Sequence, residues 1–166
     1  FSWLLINLAT AILASCVIGL FDATIEQMVA LAILMPIVAS MGGNAGTQTM
    51  TVAVRALAAR DIDLYNAGRI IRREALVGLL NGVLFALIIG LVAAVWFESA
   101  GLGGVIAVAM VVNMMAAALA GILIPLILDR FGADPAIASG TFVTTVTDVV
   151  GFFAFLGLAA FWFGLG

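Results

Sequence analysis

Read from charge to charge, the chain falls into five long uncharged stretches: Trp3 to Leu20, Gln27 to Val54, Ala75 to Phe97, Ser99 to Leu128, and Pro135 to Gly166. The last is interrupted once, by Asp148. A helix needs about 20 apolar residues to cross a bilayer, and each stretch is long enough. The pattern predicts an all-α membrane protein with five transmembrane helices over about 3–21, 27–54, 70–97, 104–128 and 135–163, forming one compact domain. The connections are read at Phe21 to Glu26, Arg55 to Glu74, around Glu98 to Gly104, and Asp129 to Pro135, with Gly101, Gly103 and Gly104 marking a turn.

The charges orient the spans. Arg55, Arg60, Arg69, Arg72 and Arg73 all fall in the second connection, and arginines at helix ends stay cytoplasmic. Alternation then places the N-terminus inside, the acidic first and third connections outside, and the C-terminus outside. An odd number of spans leaves room for a cytoplasmic domain ahead of Phe1, which is not an initiator methionine.

Composition narrows the chemistry. Hydrophobic residues make up 66% of the chain and charged residues 9%, against about 45–50% and 25% for a soluble domain. Six arginines, no lysine and a net charge of −3 provide no clustered cations for nucleic acid. With no histidine and a single cysteine, Cys16, the usual zinc ligands and the commonest general base are missing. Any chemistry rests on carboxylates, amides and hydroxyls.

Asp148 is the outstanding polar group. It lies about a dozen residues past Pro135, roughly 18–20 Å along the fifth helix, and no arginine is expected at that depth. A carboxylate there costs roughly 2.5–3.5 kcal/mol even on the lenient insertion scale, so it implies a function. Thr141, Thr144, Thr145 and Gly151 share its helical stripe, which suits a water-filled path. The plainer reading of the threonines is hydrogen bonding to their own helix, and Thr147 is read that way.

In the second span Pro36 and the run Gly42-Gly43-Asn44-Ala45-Gly46-Thr47-Gln48 predict a locally bent or broken helix. Asn44, Thr47, Gln48 and Thr51 lie on one face of it; interhelical contact is the other reading. Asp134 before Pro135 reads as a helix N-cap, or as part of a vestibule that attracts cations.

Two runs carry a family resemblance. PIVASMGGNAGTQ (Pro36 to Gln48), continued by Thr51 to Ala58, and DPAIASGTFVTTVTDVVGFF (Asp134 to Phe153) resemble the membrane domain of the MgtE magnesium channels, relatives of solute carrier 41. The resemblance implies a homodimer with its pore between subunits, lined by the second and fifth helices. It assigns central Mg²⁺ binding to Asp148 and a cytoplasmic-mouth cation to Ala133 and Asp134. Where relatives can carry an asparagine on the fifth helix, this chain has Gly140. The family's cytoplasmic N and CBS domains, which close the pore when Mg²⁺ is abundant, are not in these residues. The resemblance places the protein in the plasma (inner) membrane of a bacterium.

Mg²⁺ keeps several waters and is held by one or two carboxylates, so two Asp148 side chains across a two-fold axis suit a largely hydrated ion. An oxygen site can also admit Mn²⁺, Co²⁺ or Ni²⁺. A transporter coupled to H⁺ or Na⁺ through Asp148 is the alternative. An intramembrane aspartyl protease lacks its expected motifs, and no enzymatic activity is expected.

Overall fold

A computed structural model describes residues 1–59 and 67–165. Arg60, part of the basic connection, lies outside the described residues. Among the described residues six helices follow in order: α1 (Ser2–Gly19), α2 (Asp22–Gln27), α3 (Val29–Ala58), α4 (Ala67–Trp96), α5 (Ala100–Arg130) and α6 (Pro135–Phe163). Five of them, all but α2, are long and apolar enough to cross a membrane. Among the described residues there is no strand.

α5 is the centre of the bundle and packs against α3, α4 and α6. Fourteen of its residues are buried, against Ala14 alone in α1. α4 closes on α5 through a stripe of small residues, Gly78, Gly82, Ala86 and Gly90, one turn apart and buried. A methyl group on Gly90 would stand 3.0 Å from the Gly103 carbonyl, so the two backbones are nearly in contact, as helix association in lipid favours. Leu76, Leu80, Leu84, Leu87 and Leu91 point outward from α4, a face that suits hydrocarbon and not water.

At the α2 end, Leu31, Leu34, Val38, Ile106, Phe155 and Leu156 form a fully buried core. Thr24 of α2 donates from its hydroxyl to the Leu165 carbonyl at 3.3 Å, tying the chain's end to this cap.

Three expectations change. The first connection contains a helix of its own, α2. The glycines Gly101, Gly103 and Gly104 lie inside α5 and do not form a turn; Ser99 caps that helix by accepting from the Leu102 amide at 3.2 Å, and the reversal is confined to Phe97, Glu98 and Ser99, with Glu98 at φ 50°. Gly103 is needed for approach, since a methyl group there would meet the Gly90 oxygen at 2.5 Å. Lastly, α3 is one continuous helix through Pro36 and the glycine run. Gly42 and Gly46 admit neighbouring helices, and none of the run breaks the backbone.

Candidate functional site

α3 and α6 meet at small residues. A methyl group on Gly46 would lie 2.6 Å from Val143 Cγ1 and 3.5 Å from Thr147 Cγ2. On the α5 side, one on Gly121 would lie 2.7 Å from the Gly46 oxygen. No larger side chain could occupy Gly46 without parting α3 from α6.

This contact aims the polar residues. Thr47 is one position past Gly46, and Asp148 is one position past Thr147. A single step turns a helix by about 100°. Because the two right-handed helices run antiparallel, both steps rotate toward the same flank of the pair. Thr47, Asn44 and Thr51 are exposed along that flank on α3; Thr141, Thr144, Thr145 and Asp148 are half-buried along it on α6. Among the described residues no charged side chain compensates the Asp148 carboxylate.

The hydroxyls are oriented by their own helices. Thr145 Oγ1 donates to the Thr141 carbonyl at 2.6 Å, and Thr144 Oγ1 to the Gly140 and Thr141 carbonyls at 3.0 and 3.1 Å. Thr47 donates to Gly43 and Thr51 to Thr47, each at 2.8 Å. The protons are therefore committed inward, and the oxygen lone pairs remain free as acceptors. Thr147 is buried and bonds back to the Thr144 carbonyl at 2.9 Å, as read from the sequence. Asn44 Nδ2 reaches Ser40 Oγ at 3.4 Å.

Two predicted site residues fall elsewhere. Gly151 does not line the flank: it is buried, and a methyl group on it would stand 2.7 Å from the amide nitrogen of Asn113. Three residues past Asp148, the helix has turned Gly151 back into the bundle. Gln48 is exposed at the rim of the Asn44–Thr47 face, one step beyond Thr47 and on the side turned toward α4. There it lines a crevice of about 190 Å³ with Thr49, Glu74 and Asn81.

Gly140 stays on the flank with open space around it, so a side chain would fit there. Asp134 is exposed and caps α6, its Oδ1 accepting from the Ala136 amide at 2.9 Å. Ala133 donates its amide to the Leu128 carbonyl at 3.0 Å. The capping reading of Asp134 is thus realised, and its second carboxylate oxygen is still available.

The sequence reading passed over Asn113. It is the only polar side chain between Ser99 and Asp129, and that isolation was the available sign. It is fully buried, its Nδ2 donating to the Val38 carbonyl at 2.8 Å while its Oδ1 has no partner.

The family model of the MgtE divalent cation transporters matches residues 35–158, a stretch that takes in the α3–α6 contact and both polar faces. The chain belongs to the MgtE family. MgtE proteins named magnesium transporters are similar to it in Enterococcus faecalis (37% identity over 158 residues), Bacillus subtilis (33% over 157) and Thermus thermophilus (37% over 158). Each alignment covers 95% of this chain and 35% of the relative, so the chain spans about a third of the length of these MgtE relatives. With five bilayer-length helices, this MgtE member is a multi-pass membrane protein.

Proposed function

We propose that the chain is the pore-forming membrane part of a Mg²⁺ channel in which two copies meet along the α3–α6 flank. The observation that supports this most is the uncompensated Asp148 carboxylate on a flank shared by two stripes of polar side chains. Lipid would leave such a flank poorly satisfied; a second copy and water between the two would satisfy it. Among the described residues no three Asp, Glu, Cys or His side chains come together, and Asp148 stands as a single carboxylate on its flank. A two-fold axis doubles Asp148.

The chemistry of the flank fits a hydrated divalent cation. Waters bound to Mg²⁺ turn their hydrogens outward, and so are recognised by acceptors. Asp148 supplies charge, and Thr47, Thr51, Thr144 and Thr145, whose protons are already committed, supply lone pairs. Mg²⁺ retains its tightly held water, and the weakness of outer-shell contacts lets the ion leave again. Ala133 and Asp134 form a second cation position at the cytoplasmic mouth. Orientation follows from the arginines, with entry drawn by an interior-negative potential worth about 2.3 kcal/mol per charge per 100 mV. The longer relatives fit a full-length protein that also carries cytoplasmic regulatory domains, in a bacterial plasma membrane.

Flux into liposomes containing a Mg²⁺ indicator tests this. Asp148→Ala is expected to lower Mg²⁺ flux at least tenfold with the protein still folded. Wild-type flux from Asp148→Ala would contradict the site. Flux that requires an imposed H⁺ or Na⁺ gradient would replace the channel with a coupled transporter.

A further inference from the structure

Asn113 of α5 touches both helices that carry the polar flank. Its amide fills a notch formed by two glycines, Gly151 of α6 and Gly42 of α3. A methyl group on Gly151 would lie 2.7 Å from Nδ2 and 3.0 Å from Cγ, and one on Gly42 would overlap the amide outright. Gly151 is three residues past Asp148, and Gly42 is four residues before Gly46, where α3 meets α6. The hydrogen bond from Nδ2 to the Val38 carbonyl adds an axial constraint, because an apolar wedge could set a separation but would let α3 slide. A buried amide with an unpartnered oxygen is costly in an otherwise apolar helix. Its presence calls for a reason other than packing.

We propose that Asn113 is a positioning residue for the Asp148 cation site. Wedged between Gly42 and Gly151 and bonded to Val38, it fixes the separation and register of α3 against α6, and so sets where the Asp148 carboxylate stands relative to the Thr47 stripe. This rests on the reading of Asp148 as the cation site. A hydrated ion held by outer-shell contacts is sensitive to that spacing, since an expanded site accepts the larger Ca²⁺ and grips hydrated Mg²⁺ less well.

The test uses the whole chain in liposomes and reads the half-saturating Mg²⁺ concentration and the Mg²⁺ to Ca²⁺ flux ratio, with melting temperature measured in parallel. Asn113→Ala is expected to raise the half-saturating concentration at least tenfold and to lower the flux ratio at least threefold. Ile106→Ala, a fully buried core change on the same helix, is expected to lower the melting temperature while leaving both ion readouts within twofold. Combining Asn113→Ala with Gly151→Ala puts a methyl group into the emptied notch and is expected to recover at least threefold of the lost affinity.

Should Asn113→Ala fail to fold, Gly151→Ala alone displaces the amide and is expected to shift the same two readouts. Gly157→Ala, whose new methyl group would sit at an ordinary 3.7 Å from Phe21, is its control. Ion readouts within twofold of wild type in Asn113→Ala or Gly151→Ala overturn the proposal, as do equal shifts in Ile106→Ala. Asp148→Ala separates the two levels. If it abolishes flux while Asn113→Ala does not change it, the positioning role alone falls; if it keeps wild-type flux, the cation site falls and the positioning role with it.

Discussion

A glycine in an apolar helix can serve to let another backbone in, or it can simply be a missing side chain; space around it decides which. Gly46 and Gly121 have none: methyl groups there would stand 2.6 Å from Val143 and 2.7 Å from the Gly46 oxygen. Gly46→Ala and Gly121→Ala are each expected to destabilise the folded chain by about 1–3 kcal/mol through overpacking, read by SDS-induced unfolding in mixed micelles. Gly140 faces open space, so Gly140→Ala should gain about 0.5–1 kcal/mol from reduced backbone entropy. A gain at Gly46, or a loss at Gly140 as large as that at Gly46, would contradict this assignment. Glycines of the two kinds look alike in the sequence, which is why the run at Gly42, Gly43 and Gly46 could be read as a break. By contrast, Asp148 stands out at once, because a lone carboxylate in an otherwise apolar span has no bland explanation.

At the scale of the element, α6 starts at a cap that combines two roles in one residue. Asp134 accepts from the Ala136 amide, a bond worth about 0.5–2 kcal/mol at a helix N-terminus; its charge also stands at the proposed cytoplasmic mouth. The roles come apart by substitution. Asp134→Asn keeps an acceptor and should leave stability within about 0.5 kcal/mol while weakening Mg²⁺ flux at low concentration; Asp134→Ala should lose both. Equal loss of stability in the two variants, measured in the same SDS titration, would show that charge and not capping holds the start of α6. The cap was legible from Asp134-Pro135. The start of α5 was not, because three glycines after Ser99 signal a turn as readily as a close approach to α4, and only the position of Gly90 distinguishes them. α2 was missed since six residues are too few for a hydrophobic period to show.

Across the whole molecule, the number of long helices and their apolar outer faces were legible because hydrocarbon imposes a length and excludes charge. Which faces turn inward was not, since lipid and protein interior select the same side chains; Asn113 and Gly151 acquire their meaning only once three helices are assembled. The α3–α6 flank should be a subunit boundary. In a Cys16→Ser background, a single cysteine at Thr47 is expected to cross-link two copies with a short bifunctional maleimide, whereas one at Leu84 on the outward face of α4 is not. Efficient cross-linking at Leu84 with none at Thr47 would put the boundary on the wrong helices.

The pairing of two carboxylates around one ion is tested most directly by the stoichiometry of Mg²⁺ binding, titrated calorimetrically into the detergent-solubilised chain beside Asp148→Asn. The account predicts that the binding lost in Asp148→Asn amounts to one ion per two chains. One Asp148-dependent ion per chain, or the same titration from both proteins, would contradict it.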